Sequence, residues 1–353
     1  GGGVSVYEAV RQQRNAIGCD INPLSIFICE RMLSRDHGRE FQESVEDLYL
    51  YLEKLYAEYF FVSCKCGKNA VPELMEACYT ADCPRCGSTI EFGNKDKVKT
   101  ATYKCLSCEN SFIAHKCNRT GYKYLTAQYY CECSKNIQKR NLTLDEIDKL
   151  ELSIREYNKV CKKKGVTWPN DEIPDYWDRQ AEDGLKKKGF DLFSDLFTKK
   201  NLLVNSSLLY EINRLDVSRQ TYLNLRLVYS ASLKDTSKLS MVTDDWQQGK
   251  PVTWSKHAYW IPSQFCEVNV KSAFRRAVDR FNNSCSYNQV FLPKHKIYKS
   301  YDAFHKNSGL RVLLMNKDSS SVAIKNGSVD LILTDPPYGS NVQYNELTSF
   351  WHV

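Results

Sequence analysis

No run of apolar residues in this chain approaches the ~20 needed to cross a bilayer. No stretch has the basic, apolar and small-residue order of a secretory signal either. A membrane role is therefore not expected, whereas a soluble, cytoplasmic protein is. Low-complexity tracts are absent, and nothing repeats along the 353 residues except pairs of cysteines. The overall charge is close to balanced, with 49 basic against 42 acidic residues and a net charge of +7. The chain opens Gly1-Gly2-Gly3 without a methionine and stops inside the apolar Phe350-Trp351-His352-Val353. Both ends are expected to be cut, making this a fragment of a longer protein.

What is present is a hydrophobic content of 42%, ample for a packed core, over a length that suggests two or three units. Fifteen cysteines are many, and ten of them fall between Cys64 and Cys133. Clustered pairs without a secretion signal read as metal ligands rather than disulfides. Cys83-Pro-Arg-Cys86 and Cys105-Leu-Ser-Cys108 stand 18 residues apart, the spacing of a four-cysteine zinc ribbon. A two-residue gap lets both thiolates of each pair reach one tetrahedral Zn²⁺ at ~2.3 Å, and four protein ligands leave no open position, so the metal is structural. Cys64 and Cys66 lie 16 residues before this ribbon, and Cys131 and Cys133 lie 22 after it. That symmetry predicts a second, nested zinc site, with Cys78, Cys117 or His115 as alternatives to one of its ligands. Cys19, Cys29, Cys161, Cys266 and Cys285 are expected in the core.

Charge is concentrated where the cysteines are. Residues 95–140 hold ten basic side chains (Lys95, Lys97, Lys99, Lys104, Lys116, Arg119, Lys123, Lys135, Lys139, Arg140) against three acids. A local basic field of this kind suits nucleic acid; a solvated charged face is the plainer alternative.

The periodicities predict α/β alternation at both ends. Three glycines lead into a helix over 4–14, a strand over 16–19 ends on Asp20, and a helix starts near Pro23. A glycine turn lets the backbone approach a ligand, a helix N-terminus favours negative groups, and an acid at the next strand tip accepts from ribose hydroxyls. Helices are expected over 42–59, over 143–164 behind the capping box begun by Thr143, and over 199–213, 218–233 and 271–281. Residues 236–265 show no clear period. Strands are expected over 311–315, followed by Asp318, and over 329–334.

That last strand runs into Asp335-Pro336-Pro337-Tyr338. Two prolines cannot continue a ladder, so a rigid turn presents an acid, a proline carbonyl and an aromatic ring. Two acceptors side by side match the two donors of an exocyclic amine, and a ring beside them stacks on the base that carries it. Such a site aligns the amine lone pair with an electrophilic methyl group.

The motif Asp-Pro-Pro-Tyr after an apolar strand resembles the signature of amino-group DNA methyltransferases. Together with GGGVSVYEA, CDINP, the zinc ribbon, GFDLFSDLFTKKNLL and TDPPYGSNVQYNEL, it makes nearly the whole chain similar to the zinc-ribbon-containing adenine-specific DNA methylases, in the alpha order of motifs. The resemblance implies an α/β fold with a Rossmann-like, S-adenosylmethionine-dependent core, incomplete at both ends and interrupted by a zinc-ribbon and helical insertion. It implies core parts at 1–60 and 306–353, a zinc-ribbon module at 61–135, and a helical or irregular insert at 136–305 that recognises the target. Gly1 and Gly3 fall on the cofactor glycines, Asp20 on the ribose acid and Asp318 on the acid contacting the cofactor adenine. Asp335, Pro336, Pro337 and Tyr338 fall on the catalytic tetrad. Asn341, Gln343 and Tyr344 follow it, and two readings are open for them: contacts to the extruded base or its backbone, or an ordinary helix start. The implied activity is methyl transfer to adenine N6 in DNA. The implied partners are DNA and the other subunits of a restriction or defence system. Methylation of cytosine N4 or of RNA is the alternative within the class, and a non-catalytic, zinc-dependent nucleic-acid-binding protein on a methylase scaffold is the alternative outside it.

Overall fold

The structure, a computed structural model, describes residues 2–93, 97–99, 102–114, 117, 119–134, 136–177, 184–242, 259, 261–335 and 344–351. Helix α1 (Val4–Arg11) starts at Gly3, whose φ is 80°. A side chain there would lie 2.6 Å from Cys29 Sγ, so only glycine lets the chain pass. Strand β1 (Ala16–Asp20) follows, then α2 (Pro23–Met32), capped by the Asn22 side chain accepting from Leu24 N with proline at its first position. Helix α3 (Arg39–Tyr59) places Phe41, Val45, Leu48, Leu52 and Leu55 on one buried stripe at steps of three and four.

The insert comes next. A hairpin of β2 (Val62–Ser63) and β3 (Asn69–Ala70) precedes the long β4 (Pro72–Asp82) and the short β5 (Thr89–Glu91). Strands β6 (Lys97–Lys99), β7 (Thr102–Lys104) and β8 (Ser111–Ile113) form a small antiparallel sheet. They are followed by β9 (Arg119–Tyr129), β10 (Gln138–Asn141) and α4 (Leu144–Lys164). As the sequence predicts, Thr143 and Glu146 close a capping box at the start of α4. Helices α5 (Lys199–Arg214) and α6 (Arg219–Thr236) are capped by Thr198 and Ser218. The chain then returns as β11 (Gln264–Val268), α7 (Val270–Phe291), β12 (Lys296–Tyr298), α8 (Tyr301–Lys306), β13 (Arg311–Asn316) and α9 (Tyr344–Ser349).

Two sheets organise the molecule. The first is parallel, in the order β1-β13-β12. Val312 and Leu314 of β13 face α1 and α2 through Val10, Cys29 and Leu33, whereas Leu313 and Met315 face Phe304 of α8. All four are buried, as a strand covered on both faces requires. The second sheet is antiparallel, in the order β10-β9-β4-β11, with β5 added to β4. Its core joins Tyr79 and Phe265 to α3, α5, α6 and α7 in one cluster. Helix α7 connects the two parts: Phe274 and Phe281 pack in the large core, and Asn288 near its end accepts from Tyr7 and donates to the Met32 and Ser34 carbonyls.

Three features depart from expectation. The boundary expected at 135/136 runs through the second sheet, because β10 and β11 pair with β9 and β4. Strand β12 belongs to the parallel sheet although it precedes the boundary expected at 305/306. The expected strand over 329–334 forms no ladder: Leu331, Ile332 and Leu333 are 78%, 82% and 71% exposed. An apolar run becomes a strand only against a free edge. The run pairs with none of β1, β13 and β12, and an apolar pattern without a ladder partner is not a strand. No helix among the described residues is long and apolar enough to cross a membrane.

Candidate metal centres and a candidate ligand edge

All four cysteine pairs sit at turns between antiparallel strands, where a tight turn directs two side chains the same way. Cys64 and Cys66 lie between β2 and β3, Cys83 and Cys86 between β4 and β5, Cys105 and Cys108 between β7 and β8, and Cys131 and Cys133 between β9 and β10. Gly87 ends one turn with φ 73°, and its N–H reaches the Cys83 carbonyl at 2.9 Å. Glu109 takes the same place after Cys108 with φ 60°, a conformation unusual for a residue with a Cβ.

The ligand atoms converge in two tetrads, Cys83/Cys86/Cys105/Cys108 and Cys64/Cys66/Cys131/Cys133, each with all sulfurs within 4.8 Å of one another. Tetrahedral Zn²⁺ with Zn–S bonds of ~2.3 Å separates its sulfurs by roughly 3.8 Å. The closest pairs stand at 3.5 Å (Cys64–Cys133 and Cys66–Cys131), 3.6 Å (Cys86–Cys105) and 3.7 Å (Cys83–Cys108). Both tetrads therefore fit zinc, and the nested pairing expected for the outer cysteines is the one found. Cys78 and Cys117 are buried outside the tetrads, and His115 lies outside the described residues.

The electrostatics of the tetrads call for a cation. The Cys66 N–H holds the Cys64 thiol down to about 6, and the Ser88 hydroxyl and N–H do the same for Cys86. The Cys133 N–H pulls Cys131 down, but the neighbouring thiols of Cys133, Cys66 and Cys64, together with burial, push it up to about 12. Four thiolates cannot share so small a space unless a metal offsets their repulsion. Of the remaining cysteines, Cys29, Cys161, Cys266 and Cys285 are buried, and half-exposed Cys19 donates to the Lys317 carbonyl.

A second constellation lies at the carboxyl edge of the parallel sheet. β1 ends on Asp20, its register partner Asn316 ends β13, and Asp318 follows two residues later. The fold thus sets two acids from opposite ends of the chain at neighbouring strand ends. Asp20 accepts from the Asn22 N–H at 2.8 Å. Asp318 caps the short turn Ser319–Ser321, and the Ser320 N–H and hydroxyl hold its carboxyl below the usual range. Asn316 Nδ2 locks the edge by donating to the Asp20 and Ile21 carbonyls at 3.0 and 2.9 Å. Ile21 is 74% exposed there, an apolar residue whose only signal in the sequence is its place after the acid. Gly3 opens α1, which packs on the same strands.

Asp335 is described and exposed, on the run that stays off the sheet, so it is not at a strand tip beside Asp20. Gly1, Pro336, Pro337, Tyr338, Asn341 and Gln343 lie outside the described residues, and Tyr344 begins α9.

The basic window is largely consumed within the fold. Lys104 pairs with Glu109 at 3.4 Å and Lys123 with Glu91 at 2.6 Å; Lys139 pairs with Glu76, and Arg140 holds Glu146 down to about 2. Arg119 lies over the Tyr79 ring at 4.8 Å. Lys95, Lys116 and Lys135 are outside the described residues, leaving Lys97 and Lys99 exposed on β6. Should this face meet nucleic acid, replacing both with alanine would flatten the salt dependence of that affinity by ~0.9 in log–log slope for each phosphate that is no longer neutralised. Anisotropy titrations across salt concentrations measure this, and an unchanged slope would reduce β6 to a solvated face.

Comparison with family models, with curated proteins and with solved structures gave no match.

Proposed function

We propose that this chain carries cofactor-binding and catalytic elements of an S-adenosylmethionine-dependent DNA adenine N6-methyltransferase, interrupted by a two-zinc insert that engages DNA. The observation that carries this reading is the juxtaposition of Asp20 and Asp318 at adjacent parallel strand ends, beside a helix opened by Gly3. Open α/β sheets bind nucleotides at that edge. Asp20 would accept from the ribose hydroxyls, Asp318 from the adenine amine, and Ile21 would lie against the adenine face. S-adenosylmethionine, when bound, supplies an electrophilic methyl group. Asp335 and the Pro336 carbonyl would accept the two hydrogens of the target amine and direct its lone pair, while Tyr338 stacks on the base.

Equilibrium dialysis with labelled S-adenosylmethionine tests the edge. Asp20→Ala is expected to weaken binding about ten-fold or more, as loss of an acceptor for buried hydroxyls does. Asp335→Ala is expected to lower methyl transfer by ~10²–10³ while cofactor binding stays. Nucleoside analysis of the product separates N6-methyladenine from N4-methylcytosine, and DNA from RNA. Full transfer by Asp335→Ala would remove the motif from catalysis.

The non-catalytic alternative draws on one observation, the exposed run that keeps Asp335 off the sheet. DNA binding by the zinc-loaded protein with no methylated product would favour it.

A further inference from the structure

Beyond the last rung of a strand ladder the next carbonyls lose their backbone donors, and another group has to satisfy them. β1 and β13 end together, with Asp20 opposite Asn316. Past that pair one chain turns through Ile21 and Asn22 into α2, while the other runs on to Asp318 and its turn. The Asp20 and Ile21 carbonyls both accept from Asn316 Nδ2, at 3.0 and 2.9 Å. One side chain therefore carries the ladder a step further. It ties the turn that bears Asp20 to the strand that leads into Asp318.

The arrangement fixes the amide. Nδ2 brings two hydrogens to two carbonyls, whereas Oδ1 in its place would face them without a proton. Ile21 is 74% exposed, so its side chain gives the turn little packing to rest on. The Asn22 N–H donates to the Asp20 carboxyl at 2.8 Å, and Asn22 Oδ1 accepts from Leu24 N at 2.9 Å. These two bonds set the carboxyl relative to its own turn and α2. Asn316 sets that turn relative to β13. Cys19 Sγ adds a second link across the same strand ends, donating to the Lys317 carbonyl at 3.1 Å.

We propose that Asn316 is a positioning residue of this edge, setting the spacing between Asp20 and Asp318 so that one nucleoside meets both carboxylates. This rests on the reading of the edge as the cofactor site. Both hydrogens of Nδ2 are used within the protein, so its donors act on a ligand through the two acids. Asn316→Leu keeps the branched shape and removes both donors. The residue is exposed at the end of β13, where water replaces the lost amide, so the fold survives while the spacing loosens.

The test is equilibrium dialysis of the zinc-loaded chain with labelled S-adenosylmethionine, run as a double-mutant cycle with Asp20→Ala, together with hydrogen exchange. Asn316→Leu is expected to weaken binding about ten-fold, the effect of losing two hydrogen bonds. In the Asp20→Ala background it is expected to cost only about two-fold, because most of what it positions is gone. A merely structural role would cost the same in both backgrounds. Exchange of the Asn22 N–H is expected to quicken in Asn316→Leu, while the amides of Val312, Leu313 and Leu314 stay protected. Binding that Asn316→Leu leaves unchanged, equal losses in the two backgrounds, or unchanged exchange at Asn22 would each overturn the proposal alone. An unsubstituted chain that binds no S-adenosylmethionine would overturn the cofactor reading, and this proposal with it.

Discussion

Chelating zinc is expected to unfold the whole insert, well beyond the residues that ligate it, while the parallel sheet keeps its protection. Structural zinc contributes on the order of 10–16 kcal/mol in small modules, comparable to the entire stability of a domain, ~5–15 kcal/mol. Cys64, Cys83, Cys105 and Cys131 belong to the same packed cluster as Leu52 of α3, Leu208 of α5, Val228 of α6 and Phe274 of α7. The four turns also hold the ends of β4 and β9, on which β10 and β11 depend. By contrast, Val10, Ala16, Cys29, Val312 and Leu314 form a cluster of their own. Hydrogen exchange before and after chelation measures the division. Protection should vanish over β4, β9, β10 and β11 and persist in β1 and β13. Elemental analysis should find close to two zinc ions per chain, with one lost in Cys105→Ser. Protein purified without chelator that holds no zinc, or exchange confined to residues 61–135, would refute this account.

Lys200→Met is expected to destabilise the insert by ~3–5 kcal/mol, the penalty for leaving one member of a buried ion pair unmatched. Lys200 and Glu267 are 3% and 0% exposed, and their charges meet between α5 and β11. Glu267 also accepts from Tyr124 at 2.6 Å and from the Thr198 hydroxyl. Next in the chain, Asn201 donates to the Thr236 and Val268 carbonyls, both at 2.9 Å. The segment Thr198-Lys199-Lys200-Asn201 thus clamps α5 to α6 and β11, which gives the sequence TKKN an architectural purpose. Adding Glu267→Gln to Lys200→Met should restore most of the loss, because the amide still accepts from Tyr124 and Thr198 without a charge. Urea unfolding of the zinc-loaded variants reads both numbers. A cost below ~1 kcal/mol for Lys200→Met, the range of an exposed pair, would show that water reaches the pair.

Much of this protein is legible in its sequence because much of its structure is local. Helix α4 follows from Thr143 and Glu146 three residues apart, α3 from apolar residues every three or four, and each zinc turn from two closely spaced cysteines. A metal with four identical ligands then leaves little choice in how two such turns meet. The strand ending on Asp20 and the glycine before α1 are legible for the same reason: each is a few residues whose conformation their own side chains dictate.

Only the tertiary structure decided what depends on a partner far along the chain. Gln264–Val268 becomes a strand because β4, far back in the chain, offers it an edge, whereas the more apolar Leu331–Leu333 pairs with no strand and stays exposed. Lys123, Lys139 and Arg140 look like a nucleic-acid face when counted along the sequence. In the fold, cross-strand register and the start of α4 set Glu91, Glu76 and Glu146 against them. A helix or a zinc turn satisfies its backbone and ligands within its own segment, so its signal is written in adjacent residues. A strand or an ion pair is completed by a group elsewhere, and which group that is depends on how the whole chain packs.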